Sequence, residues 1–102
     1  MDIGISKNKV PIRLTQERWL HITVGHPEIA DYYYEIFETI ENPESIFEGN
    51  ANELIAIKKI SKGMFLLVVY REINKKDGFV ITAFISNKTQ YIKKKKLIWH
   101  QQ

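Results

Sequence analysis

The chain has 102 residues, of which 44% are hydrophobic, 12% aromatic and 26% charged, a balance that suits one globular domain rather than a disordered chain. Cysteine is absent, which excludes disulfides, thiolate zinc sites and a cysteine nucleophile; no apolar run nears the ~20 residues of a membrane span and residues 1–9 hold no apolar leader, so a cytoplasmic protein that does not enter membranes is expected. The net charge of +3 conceals an asymmetry, because residues 1–50 hold nine acidic and four basic side chains whereas residues 51–102 hold three acidic and eleven basic ones.

In chain order, residues 1–9 are polar and unpatterned and read as a flexible arm ahead of a single domain over residues 10–102. Val10 to Leu14 is a short extended segment that Pro11 confines to a sheet edge. Thr15 is placed as an N-cap with Glu17 in the first turn, giving a helix over about Gln16 to Val24 that stops at Gly25. Pro27 restarts a helix in which Ile29, Tyr33, Ile36, Phe37 and Ile40 form one apolar stripe, and Asn42-Pro43 ends it. The rest reads as strands: Ser45 to Glu48, Leu54 to Ile60, Met64 to Ile73, Phe79 to Ser86 and Leu97 to Trp99. Turns fall at Ser61-Lys62-Gly63 and at Lys75-Lys76-Asp77-Gly78. Between Met64 and Tyr70 both faces are apolar, as in a central strand. The pattern is two helices followed by an antiparallel meander, an α+β domain.

Few chemistries fit these residues. His21 and His26 are five positions apart, not the four by which one helix face presents two metal ligands, and no third ligand accompanies them. No metal and no cofactor are therefore expected. Each histidine also has a plain structural use: His26 as a helix cap, His21 as a filler of a half-buried gap, His100 as a surface residue near the last position. A phosphate-cradling glycine loop and a seryl nucleophile elbow are both missing. What is left is chemistry that needs no metal. RNA brings its own nucleophile, the 2′-hydroxyl, so a protein need only take that proton, protonate the departing 5′-oxygen and neutralise the phosphate. Histidine and glutamate suit the proton steps, and arginine and lysine suit the phosphate. The basic second half, with four lysines in a row at Lys93 to Lys96, attracts polyanions, although lysines at turns also serve simply to keep strand edges from aggregating.

The order of motifs adds a resemblance. Arg13-Leu14-Thr15, Glu17-Arg18-Trp19 with His21-Ile22, and Gly25-His26-Pro27-Glu28 are followed by Asn42-Pro43, an apolar strand at Leu66 to Tyr70, and Phe79-Val80-Ile81-Thr82-Ala83-Phe84. This series, over roughly residues 10–99, resembles small phage- and plasmid-associated members of the barnase/EndoU/RelE-like (BECR fold) nuclease superfamily. The resemblance implies two N-terminal helices packed on a four- to five-stranded antiparallel β-sheet. It also implies a metal-independent endoribonuclease, the toxin of a toxin–antitoxin pair or a phage-related effector, whose partners are RNA and a cognate antitoxin or inhibitor protein. On the matching positions, His21 transfers protons with His26, Glu28 and Thr82 in support. Arg13, Arg18 and Lys95 bind phosphate, and Tyr70 and Tyr91 stack on bases or donate a proton. For Thr82 alone, the liking of β-branched residues for strands is the slightly better account. Two readings of other classes stand beside this one: a non-catalytic nucleic-acid-binding module, and a protein-interaction domain that docks through the acidic second helix.

Overall fold

A computed structural model describes residues 1–102. Seven strands and three α-helices follow one another as β1 (Asp2–Ile5), β2 (Pro11–Leu14), α1 (Gln16–Gly25), a 3-10 helix (Pro27–Tyr32), α2 (Tyr33–Glu41), β3 (Ser45–Glu48), β4 (Leu54–Ser61), β5 (Met64–Asn74), β6 (Asp77–Ser86), α3 (Gln90–Lys93) and β7 (Lys96–His100). The strands make a single sheet in the order β1-β2-β6-β5-β4-β3-β7. All pairs are antiparallel except β2 with β6, which run parallel through Ile12 opposite Gly78 and Arg13 opposite Phe79.

This corrects the expected architecture of two helices on a four- to five-stranded antiparallel sheet: the sheet has seven strands and is mixed, and only α1 and α2 of the three helices exceed one turn. The meander β3 to β6 is as the alternation of residues indicates. The difference arises at its two ends. After β6 the chain does not lay its last strand alongside but crosses the sheet to pair β7 with β3 at the far edge. At the other end, β2 fills the place beside β6 and β1 folds back on β2.

Residues 2–5 are thus a strand and not an arm. The turn after it is closed by the Ser6 amide donating to the Val10 carbonyl at 2.9 Å, with Lys9 in the left-handed region at φ 67°. Glu72 of β5 anchors that turn, accepting from the Ser6 hydroxyl at 2.6 Å and from the Asn8 amide at 2.9 Å. Helix α2 secures β1 from the other side, where Glu41 accepts from the Ile5 amide and Tyr33 donates to Asp2.

The helices share one face of the sheet. Ile22 of α1, Ile29 of the 3-10 helix, and Ile36 and Ile40 of α2 meet Ile12, Leu66, Val68 and Tyr70 in a 14-residue core. The apolar stripe of the second helix is therefore real, but its first six residues are 3-10. Lys7, beyond β1, lies 4.9 Å from the ring of Trp99 on β7, so the two sheet edges curl toward each other around the helices. On the opposite, outer face a smaller cluster of Phe47, Ile55, Ile57, Leu67 and Ile92 forms where α3 and its flanking residues pass across the sheet between β6 and β7.

Candidate nucleic-acid interface

The site begins with the cap of α1. Thr15 holds extended backbone angles (φ −76°, ψ 156°) and its Oγ1 accepts from the Arg18 amide at 3.1 Å, satisfying a donor that the helix cannot. With α1 started there, Glu17 and His21 stand one turn apart and Arg18 lies beside them. Thr15, Glu17, Arg18 and His21 line a depression of about 290 Å³ with no apolar side chain in its wall. A second depression of about 150 Å³ abuts it, lined by Arg13, Thr15, Arg18, Phe79 and Val80. Thr15 and Arg18 belong to both, so Arg13 and His21 line two adjoining depressions with Arg18 between them, together called the hollow below.

The two arginines differ in freedom. Arg13 forms an ion pair with Asp77, donates to the Gly78 carbonyl at 3.1 Å, and lies 5.6 Å from the Phe79 ring. Both polar contacts use Nη1, and its side chain stays one-third exposed. Arg18 enters no salt bridge and leaves its guanidinium to the hollow.

Strand register extends the site. Phe79 of β6 is opposite Arg13 on β2 and opposite Arg71 on β5, so the three side chains share the outer face, with the Arg13 guanidinium beside the ring. The Arg71 Nη2 donates to the Ala51 carbonyl at 2.8 Å, whereas its buried Nε has no partner. Sequence reasoning passed over Phe79, Arg71 and Glu17. For Glu17 the signal was present, four residues before His21. For the row of Arg13, Phe79 and Arg71 it was partial, because Arg71 and Phe79 flank one hairpin turn whereas Arg13 comes from β2, far earlier in the chain.

The other expected site residues fall elsewhere. His26 caps α1, stacks on Phe84 at 5.6 Å, and places Nδ1 3.7 Å from the Glu28 carboxylate, so these two meet each other and not His21. Thr82 is on the outer face of β6 opposite Val69, directly after the bulge at Ile81. Tyr91 is exposed on α3, and Lys95 bonds Asn50 at 3.4 Å beyond it; neither lines the hollow. Tyr70 requires a correction. It is 1% exposed in the inner core, where burial and then Glu72 push its phenol well above the ordinary range, so it offers a base no surface and holds its proton.

No group of three or more His, Asp or Glu side chains is placed to hold a metal ion, and no helix is long and apolar enough to cross a membrane. Comparisons with protein families, with curated proteins and with solved structures each returned no match to this chain. None of them supports the resemblance to the barnase/EndoU/RelE-like superfamily, so function has to be argued from the geometry.

Proposed function

We propose that this protein binds single-stranded RNA along the hollow at the start of α1 and the adjoining row on the outer sheet face. The observation that carries this reading is the continuity of a free Arg18 with an aromatic ring, Phe79, flanked by Arg13 and Arg71. A ring of this kind stacks on a base regardless of its identity, while the guanidinium groups of Arg13 and Arg18, which line the same depression, meet the phosphates. Fluorescence anisotropy with a labelled ten-nucleotide RNA tests the reading. Phe79→Ala removes a stacking platform worth about 1–3 kcal/mol, a loss of roughly five- to a hundredfold in affinity. Arg18→Ala weakens binding to all sequences alike and lowers the slope of log K against log salt by about 1. Binding that neither substitution alters, or its absence at low salt, rejects the reading.

A second reading, RNA cleavage, is favoured by one further observation: Glu17 and His21 line the same depression as Arg18. In that mechanism Glu17 accepts the 2′-hydroxyl proton as the 2′-oxygen attacks phosphorus. The bond to the 5′-oxygen breaks, and an imidazolium at His21 supplies the proton which that oxygen takes up. Arg18 offsets the charge on the phosphoryl oxygens, and the product ends in a 2′,3′-cyclic phosphate. Incubation of RNA with the protein in EDTA decides between the readings. Cyclic-phosphate ends that fall about a hundredfold or more in His21→Ala support cleavage, and intact RNA confines the protein to binding.

A further inference from the structure

Side chains of the outer face that the hollow does not use continue its pattern. Lys93, the last residue of α3, holds its Nζ 6.0 Å from the ring centroid of Phe65 on β5. At the other end of the same face the Arg13 guanidinium lies 5.6 Å from the ring of Phe79. Phe65 is opposite Ser86 and Phe79 is opposite Arg71, so the two cation–aromatic pairs mark opposite ends of the β5–β6 hairpin. The six positions from Phe65 to Arg71 cover about 20 Å at a strand rise of ~3.3 Å per residue.

The face between these ends suits a polyanion. By register its side chains are Leu67 and Val69 on β5 and Thr82 and Phe84 on β6, and none is acidic. Val69 and Thr82 are partly exposed, whereas Phe84 is stacked by His26. Phe65 is also partly exposed, and Lys93 is exposed with no carboxylate partner. A single lysine over a ring is ordinary surface packing. Here the pair recurs on the face that already carries Arg13 and Phe79. Its neighbours in the lysine run are placed otherwise, since Lys95 bonds Asn50 and Lys96 is opposite Glu48 on β3.

We propose, resting on the RNA-binding reading of the hollow, that Phe65 and Lys93 form a second nucleotide subsite and that the strand runs along β5 and β6 to reach it. The open part of the Phe65 ring stacks on a base. At 6.0 Å the ammonium is at the limit of attraction to the ring, so Lys93 turns to a phosphate once a base covers Phe65. Val69 and Thr82 give the RNA an uncharged floor between the two ends. At the ~3.4 Å per nucleotide of a stacked strand, the span takes about six nucleotides, and fewer where bases splay apart. The ligand is thus an oligonucleotide, and a very short RNA fills the hollow alone.

Anisotropy of the full chain with labelled RNAs of three and ten nucleotides, at about 0.15 M salt, tests the proposal. The longer RNA binds about tenfold or more tightly than the shorter. Lys93→Glu removes most of that gain and leaves the three-nucleotide affinity unchanged. Phe65→Leu keeps an apolar side chain against the outer cluster and weakens the ten-nucleotide RNA alone, by about fivefold or more. Phe79→Ala weakens both RNAs. Lys7→Glu makes the same charge change beside Trp99, away from the path, and alters neither. A length gain that survives Lys93→Glu, or that Lys7→Glu removes as fully, overturns the second subsite, as does equal affinity for the two RNAs. In those cases the hollow stands as the site if Phe79→Ala still weakens binding. Failure of the wild type to bind either RNA overturns the hollow and the second subsite together.

Discussion

The two faces of the sheet are built to different degrees of closure. Over the inner face lie α1, the 3-10 helix and α2, and 14 side chains there form one core that includes fully buried Ile12, Ile36, Leu66 and Val68. Over the outer face lies only the crossing from β6 to β7, which contributes a four-residue helix and buries five side chains. The covered part of the outer face is the β3–β4–β5 side. At the β2–β6–β5 side, Arg13, Phe79, Arg71 and Thr82 stay partly exposed. One face thus carries the stability of the fold while part of the other is spared for side chains that meet a ligand. Apolar burial at ~25 cal/mol per Å² makes that division an energetic one, since a face sealed by helices gains far more than a face crossed by a single loop.

Truncation of one buried side chain on each face tests the division most strongly. Leu66→Ala at the centre of β5 opens a cavity with helices above it and strands on both sides, and costs about 4 kcal/mol in urea or thermal unfolding. Ile92→Ala removes the only buried residue of α3, and the short crossing can settle into the space, so the loss is about 2 kcal/mol. Hydrogen exchange separates them further: the outer substitution speeds exchange in residues 87–95 alone, whereas the inner one speeds it throughout β4, β5 and β6. Equal losses with the same exchange pattern would show that the faces fold as one unit.

A smaller effect probes the join of β2 to β6, on which the candidate RNA site depends. Gly78 sits where a Cβ would come within 2.6 Å of both the Arg71 carbonyl oxygen and Ile12 Cδ1. Gly78→Ala therefore presses β6 against the β5 backbone at Arg71 and against the Ile12 side chain of β2, and costs about 1–3 kcal/mol by overpacking. Because Arg13 rides on β2 beside Phe79, the same substitution weakens RNA binding more than its loss of stability alone accounts for. A variant that loses stability but binds RNA as before would separate the site from the parallel strand pair.

The same join explains what the sequence could and could not convey. Local signals were legible: Thr15 as a cap, the stripe of Ile29, Ile36 and Ile40, and the alternation that makes β5 central were all readable, because each depends on neighbours within a few residues. Arg13, Arg18 and His21 were grouped by the resemblance alone, and their closeness in the chain made the grouping easy to satisfy. Asp2–Ile5 gave no such signal, since its strand character comes from Leu14, Glu41 and Tyr33. The crossing to β7 was equally hidden, and with it the seven-stranded order. Tyr70 was given a role on bases by the resemblance, although the apolar faces of β5 already pointed to a covered strand, and the helices do bury it.

The smallest effect at neutral pH, and the clearest dependence on conditions, belongs to Tyr70. Burial on the inner face raises its phenol pKa well above the ordinary 10.0, and the Glu72 carboxylate adds to the rise. A group whose folded pKa is raised stays protonated in the folded state after it has ionised in the unfolded one. Its contribution is therefore complete below about pH 10 and is lost progressively as the pH rises from there through the folded pKa. Tyr33 behaves alike over a narrower window, pushed up to about 12 by burial and by its hydrogen bond to Asp2. Unfolding followed from pH 8 to 12 should show the wild type weakening above pH 10, with Tyr70→Phe falling less steeply and Tyr33→Phe between the two. Near neutral pH, Tyr70→Phe changes stability little, because the ring that packs against Val80 remains. If Tyr70→Phe left the alkaline slope as steep as in the wild type, the phenol would have to reach water in the folded protein, and the helices would not seal the inner face as tightly as its packing indicates.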